Sequence, residues 1–177
     1  MRFAVTTLHV ILAAFAFTSL SGCLLAQNTV KETTTNKVDD MPLKAGPDDK
    51  REKLSPGKID ADAKKEFITT ESGLKYRVLR KSEGKKPVAT EKVTVHYKGW
   101  LDDGLIFDSS YRKGEKISFP LNRVIKGWTE GMQLIGEDGM IELEIPYSLG
   151  YGETGTPGGP IPPKANLHFI VELFKVG

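Results

Sequence analysis

The sequence predicts an α+β protein: a single antiparallel sheet of about five strands, one face packed and one wet, with one short helix covering the packed face. Two observations predict it. From Phe67 onward apolar residues recur at every second position, as in strands that bury one face, and only one compact stretch, Asn122 to Gly131, has helical spacing. A third observation sets the domain apart. From Leu24 to Lys65 the chain is rich in Thr, Lys, Asp, Pro and Gly and has no aromatic residue, a composition that buries too little apolar surface to offset the entropy of ordering it.

In chain order, Arg2 is followed by a nearly charge-free run from Phe3 to Gly22, which reads as an export signal. Leu20-Ser21-Gly22-Cys23 resembles the bacterial lipobox, in which the cysteine is diacylated and the chain is cut just before it. Cys23 is the only cysteine, so it has no disulfide partner within the chain. An ordinary signal cleaved nearby and a retained membrane anchor are the alternatives. A lipid at Cys23 makes the protein peripheral to a bilayer in the bacterial cell envelope. Leu24, in place of an aspartate, favours the outer membrane facing the periplasm by the enteric-bacterial rule. The expected organisation is therefore a lipoprotein signal peptide over 1–22, a lipidated N-terminus and flexible linker over 23–66, and a folded domain over 67–177. Ile59 to Phe67 can form a short helix.

Within the domain, Leu74, Tyr76 and Val78 alternate with Lys75 and Arg77, and Val93, Val95 and Tyr97 with Thr94, His96 and Lys98. Asp103-Gly104 is a turn signal. Asn122 can cap the helix, and Val124, Ile125 and Trp128 fall on one side of it, although Gly127 and Gly131 weaken it by propensity. Ile141, Leu143 and Ile145, then Leu167, Phe169, Val171 and Leu173, give the last two stripes. Between them, Pro146 to Pro163 is a rigid loop rich in proline and glycine, and long irregular loops of this kind are usually functional.

Several function classes fall away. The net charge is +2, from 25 basic and 23 acidic residues, and no basic block with interleaved aromatics marks a nucleic-acid surface. His96 and His168 lie opposite the apolar stripes with no cysteine to join them, so no metal or cofactor is expected. Gly150 to Gly155 matches a dinucleotide-binding pattern, but prolines follow where a helix would be needed. The serines beside Asp108 have no base partner in sequence.

The segments VHYKGWLDDGLIFDSSYRKGEKISF, VIKGWTEGMQLIGEDGMIELEIP and YGETGTPGGPIPPKANLHFIVEL, taken in order, resemble the FKBP family of peptidyl-prolyl cis-trans isomerases over Phe67 to Gly177. The resemblance implies a curved five- to six-stranded antiparallel sheet wrapped on one short helix, with an apolar cleft that also accepts macrolide inhibitors. Carried over, Tyr97, Phe107 and Asp108 match the upper cleft, Phe119, Val124, Ile125 and Trp128 its walls and floor, and Tyr151, Ile161 and Phe169 its flap and far wall. Leu149, Thr156 and the longer GGPIPP loop depart from the common pattern, which bears on the preferred peptide.

Rotation about an Xaa-Pro bond crosses a barrier of roughly 18–20 kcal/mol and breaks no covalent bond. The catalyst must favour the twisted amide, so a dry socket and placed donors suffice. Implied roles are a proline ring over Trp128, substrate carbonyls held by the Ile125 N–H and the Tyr151 hydroxyl, and Asp108 orienting Tyr97 or presenting negative charge near the rotating carbonyl. Trp128 as plain core and Asp108 as a turn cap with Ser109 and Ser110 are the structural alternatives. The expected function is isomerisation of proline-containing segments of exported proteins by a monomer. A non-catalytic chaperone or peptide-binding module on the same fold is the alternative, and a lipoprotein useful mainly for its tether is a more distant one.

Overall fold

The computed structural model describes residues 42–177. The signal over 1–22, Cys23 and the linker as far as 41 lie outside the described residues. Seven strands form one antiparallel sheet: β1 (Ile68–Thr69), β2 (Lys75–Arg80), β3 (Lys92–Leu101), β4 (Ile106–Ser109), β5 (Ile117–Pro120), β6 (Met140–Ile145) and β7 (Leu167–Val176). The order is β1-β2-β6-β7-β3-β4, with β5 also on β3. β4 pairs with Lys98 to Trp100 and β5 with Lys92 to Val95, so the two short strands share one side of β3 and the sheet is six positions wide. Among the described residues two short α-helices accompany the sheet, α1 (Ser110–Lys113) and α2 (Lys126–Met132).

The main core forms where the alternating stripes meet α2. Val93, Val95, Ile141, Leu143, Ile145, Val171 and Leu173 are fully buried there with Met132 from the helix. The helix starts four residues later than its spacing predicts. Asn122 is exposed in a 3-10 turn over Leu121–Arg123, Val124 is extended, and Ile125 takes the cap position without a side-chain bond. Burial of Leu121 pins the preceding turn to the core, so the chain cannot begin winding until it has passed the Val124 corner. Packing then holds what propensity does not. A Cβ on Gly127 would fall 2.5 Å from Ile145 Cγ2, and one on Gly131 2.7 Å from Leu143 Cδ2, so both glycines let α2 lie directly on β6.

The opposite face of the sheet, expected to be wet, is largely dry. Leu79, Trp100, Tyr111, Met140 and Ile170 form a second buried cluster there, and His96, Lys98, Glu142 and Glu172 are buried beside it. Residues 42–60 provide much of the cover, which corrects the expectation of a flexible linker up to residue 66. Leu43, Ala45 and Ile59 pack on the second cluster. Gly46, at φ +71, lies so close to Trp100 that a Cβ would meet Cζ3 at 2.8 Å. The Gly57 N–H donates to Glu172 Oε1 at 2.9 Å, the Asp60 N–H to the Leu79 carbonyl at 2.9 Å, and Lys98 Nζ to the Pro47 carbonyl at 2.9 Å. No helix forms over 59–67, where the chain makes turns instead.

Because α2 sits in close contact with β6, Gly127→Ala forces Ile145 to move within a packed core. The expected cost is about 1–3 kcal/mol, read as a lowered urea midpoint at unchanged slope. A midpoint equal to that of the parent chain would refute the close approach.

Candidate active site

At one end of the main core, where α2 meets β3, β5 and β7, the packing opens into a cleft of about 450 Å³. Trp128 forms its base, only 4% exposed yet part of the lining. Three rings stand around the indole: Tyr97 edge-on at 5.3 Å between centroids, Phe169 edge-on at 5.2 Å, and Phe119 tilted at 5.6 Å. Phe107 extends the wall, edge-on to Phe169 at 5.5 Å. Edge-to-face contacts of this kind hold rings in defined orientations. Gly99 makes the wall possible, since a Cβ there would meet both Phe169 and Phe107 below 3 Å.

The polar groups sit at the rim. The Tyr97 hydroxyl donates to Asp108 Oδ2, and the Ser109 N–H donates to Asp108 Oδ1 at 2.9 Å. Lys113 Nζ approaches the same carboxylate at 3.9 Å. Burial, reinforced by the hydrogen bond to Asp108 and its charge, holds the Tyr97 phenol well above the ordinary tyrosine range. Val124 and Ile125 form the wall before α2. The Ile125 carbonyl accepts from Trp128 and Thr129, while its own N–H has no acceptor among the described residues. The Tyr151 hydroxyl is also without a hydrogen bond among them, on a side chain 41% exposed, and burial followed by the Asp108 charge raises its pKa. Trp128 Nε1 is buried and unpartnered.

Nine of the ten residues singled out from sequence in the domain therefore line one cleft: Tyr97, Phe107, Asp108, Phe119, Val124, Ile125, Trp128, Tyr151 and Phe169. Ile161 does not. It is buried in the main core, where its carbonyl accepts from the Thr156 N–H at 2.9 Å and its own N–H donates to Thr156 Oγ1 at 3.1 Å. Gly155, at φ +66, makes the fold-back possible, because a Cβ there would lie 2.4 Å from the Ile161 carbonyl oxygen. Two lining residues were missed. Ile117 precedes Phe119 by two on β5, so alternation could have found it. Arg123 carries no such signal, and it lines the cleft without an ion pair among the described residues. His96 and His168 lie elsewhere, His96 bonded to Ser110 Oγ at 2.9 Å and His168 to Asp102 at 2.7 Å.

Comparison with known proteins gives a consistent result. The sequence profile described as FKBP-type peptidyl-prolyl cis-trans isomerase matches residues 83–174. The FKBP-type 22 kDa peptidyl-prolyl cis-trans isomerase of Escherichia coli K12 is 47% identical over 119 residues, 67% of this chain and 57% of that protein. The FKBP-type peptidyl-prolyl cis-trans isomerase FkpA of Aeromonas hydrophila is 50% identical over 117 residues, 66% of this chain and 43% of that protein. The chain thus spans about half the length of these relatives. Among solved structures, FkpA from Escherichia coli superposes with a TM-score of 0.61 at 47% identity, covering 64% of this chain and 52% of that one. A peptidyl-prolyl cis-trans isomerase from Pseudomonas syringae gives 0.59 at 35% identity, covering 64% and 83%.

Two phenols supply a pH test of this geometry. Burial, then the nearby carboxylates, raise the pKa of both Tyr97 and Tyr111 well above the ordinary tyrosine range. The native state therefore keeps protons that the unfolded chain releases, so their stabilisation is complete below about pH 10 and is lost as pH rises toward the native values. Tyrosinate absorbance should show two phenols ionising only together with unfolding. Ionisation of all five tyrosines before the fold is lost would contradict it.

Proposed function

Because the chain belongs to the FKBP-type peptidyl-prolyl cis-trans isomerase family, we propose that it accelerates cis-trans rotation about Xaa-Pro bonds in exported proteins. The observation that supports this best is the opening above Trp128: an aromatic socket of a size to take a proline ring, with unpaired donors at its edge. A proline ring seated on the indole, between Tyr97, Phe119 and Phe169, replaces water around the preceding carbonyl with apolar contact. Loss of hydrogen bonds from water to that carbonyl weakens the resonance that keeps the amide planar. The Ile125 N–H and the Tyr151 hydroxyl then hold substrate carbonyls on either side, fixing the ends while the bond between them turns. Phe107 and Val124 close the sides.

Asp108 acts in this scheme by holding Tyr97 and by keeping negative charge at the rim, where it meets the carbonyl carbon as its resonance is lost. No nucleophile, metal or cofactor takes part. Each of these effects need contribute only a few kcal/mol, since about 1.4 kcal/mol is tenfold in rate. Ile161 has no direct contact role in this scheme and supports the flap from the core instead. Macrolides that present a proline-like ring are expected to compete for the same socket.

The N-terminal sequence supports a lipoprotein form, with residues 1–22 removed, Cys23 acylated, and the domain, a monomer, tethered in the bacterial envelope at the outer membrane and facing the periplasm. The tether in this proposal runs from Cys23 to about residue 41, and the isomerase unit begins near residue 42. Clients are proline-containing segments of other exported chains that come within its reach.

An assay on a peptide with a single Xaa-Pro bond tests the activity. Trp128→Ala and Asp108→Ala should each lower kcat/KM by roughly tenfold or more, and a macrolide should inhibit the parent. No rate enhancement by a folded parent chain would favour a non-catalytic peptide-binding module. Arg123 should bias the choice of peptide: reversing it, Arg123→Glu, is expected to shift the ratio of rates for peptides bearing Glu or Lys beside the proline by about threefold. The shift should shrink at high salt, and an unchanged ratio would remove Arg123 from specificity.

A further inference from the structure

Residues 42–60 do more than cover the outer face. Lys98 on β3 and Ser109 on β4 are directly opposite each other in the sheet. Both side chains meet one carboxylate: Lys98 Nζ lies 3.1 Å from Glu52 Oε2, and Ser109 Oγ donates to Glu52 Oε1 at 3.0 Å. The Lys98 and Glu52 side chains are only 3% and 8% exposed, so the pair sits where charge is weakly screened and loss of one partner is costly. The next pair along the same two strands is Gly99 with Asp108, and the Tyr97 hydroxyl reaches Asp108 from β3. β3 and β4 are thus tied twice, by Tyr97 and Asp108 on the cleft side and by Lys98, Glu52 and Ser109 on the other.

β4 needs such a tie. It is a four-residue edge strand whose only sheet neighbour among the described residues is β3, and its register slips between Gly99 and Trp100. α1 after it is a single turn whose cap residue, Ser109, makes no capping bond, since its hydroxyl is committed to Glu52. The rest of that turn is also held from residues 49–54: Arg112 donates to Asp49, and the Lys53 and Leu54 N–H groups point to the Tyr111 carbonyl at 3.0 and 3.4 Å.

We propose that Glu52 is a positioning residue for the cleft: by bridging Lys98 and Ser109 from behind the sheet, it sets the place of Asp108 and the hydrogen bond that Asp108 receives from Tyr97. The segment before the sheet is then part of the isomerase unit rather than a spacer. This inference rests on the proposed role of Asp108, and its test separates the two. The full chain is compared with Glu52→Gln, Ser109→Ala and Asp108→Asn, and with Glu52→Gln and Ser109→Ala each combined with Asp108→Asn.

Glu52→Gln and Ser109→Ala should each lower kcat/KM by roughly fivefold, mostly in kcat, and add almost nothing once Asp108 is Asn. A second readout needs no activity: the Tyr97 hydroxyl proton, shielded by its bond to Asp108, should give a slowly exchanging NMR signal that shifts or disappears in both variants. Should Glu52→Gln fail to fold, Ser109→Ala carries the same test with the Lys98–Glu52 pair intact. Parent-like activity and an unshifted Tyr97 proton in a folded variant would overturn the inference, as would equal losses with and without Asp108. Variants that shift the Tyr97 proton as expected, in a parent chain that does not isomerise peptide, would overturn the activity alone.

Discussion

β3 and β7 pair along their whole lengths, from Val93 opposite Val176 to Leu101 opposite Leu167, and successive side chains on a strand point to opposite faces. These two strands must therefore build two interiors at once. Val93, Val95, Tyr97, Phe169, Val171 and Leu173 supply the main core and the cleft, while His96, Lys98, Trp100, Ile170 and Glu172 supply the outer face. A slip of one residue would exchange the two sets. The register is held because each face is fitted to its own residues: Lys98 meets Glu52 on the outer side, and the rings of Tyr97 and Phe169 pack around Trp128 on the cleft side.

The two interiors are stabilised differently. On the cleft side apolar area dominates, and the cleft is a place where the aromatic packing is left unfinished above the indole. On the outer side, the buried charges are paired: Glu172 with Tyr111, Arg80 and the Gly57 N–H, Lys98 with Glu52 and the Pro47 carbonyl, and Glu142 with Arg77. Burial alone would raise the pKa of Glu172, but hydrogen bonds from Tyr111, the Gly57 N–H and Arg80 outweigh it and hold the carboxyl below its ordinary range. Glu142 shows the opposite balance: burial raises it, and the Arg77 guanidinium offsets this only in part. Glu172 owes one of its partners to residues 42–60, as Lys98 owes Glu52, so the sheet and the segment that covers it are completed together.

Legibility from sequence follows the same division. Alternating stripes announced the strands at β2, β3, β6 and β7, but only Tyr97 and Phe169 of the nine cleft residues lie on them, and the family resemblance, carried over residue by residue, led to the set. Alternation is a local property, and it survives folding because the strand imposes it. The helix start was misplaced because capping by Asn122 is a local preference, overruled by the distant burial of Leu121. Ile161 was assigned to the cleft by its place in a motif, but hydrogen bonds to Thr156 turn it into the core. Residues 42–60 were hidden for another reason. Their anchors are carboxylates and backbone groups, which in one dimension look the same as a solvated tether.

The sequence by itself determined the fold class, the position of most strands and the residue types around Trp128, since these depend on period and on side chains that have few other places to go. Tertiary structure decided where α2 begins, which loop residues reach the cleft, and that residues 42–60 belong to the domain. Those outcomes depend on pairings across long stretches of chain, Glu52 with Lys98 and Ser109, Gly57 with Glu172, Leu121 with the core. A charged side chain carries no mark in sequence of whether its partner will be water or an ion brought to it by the fold.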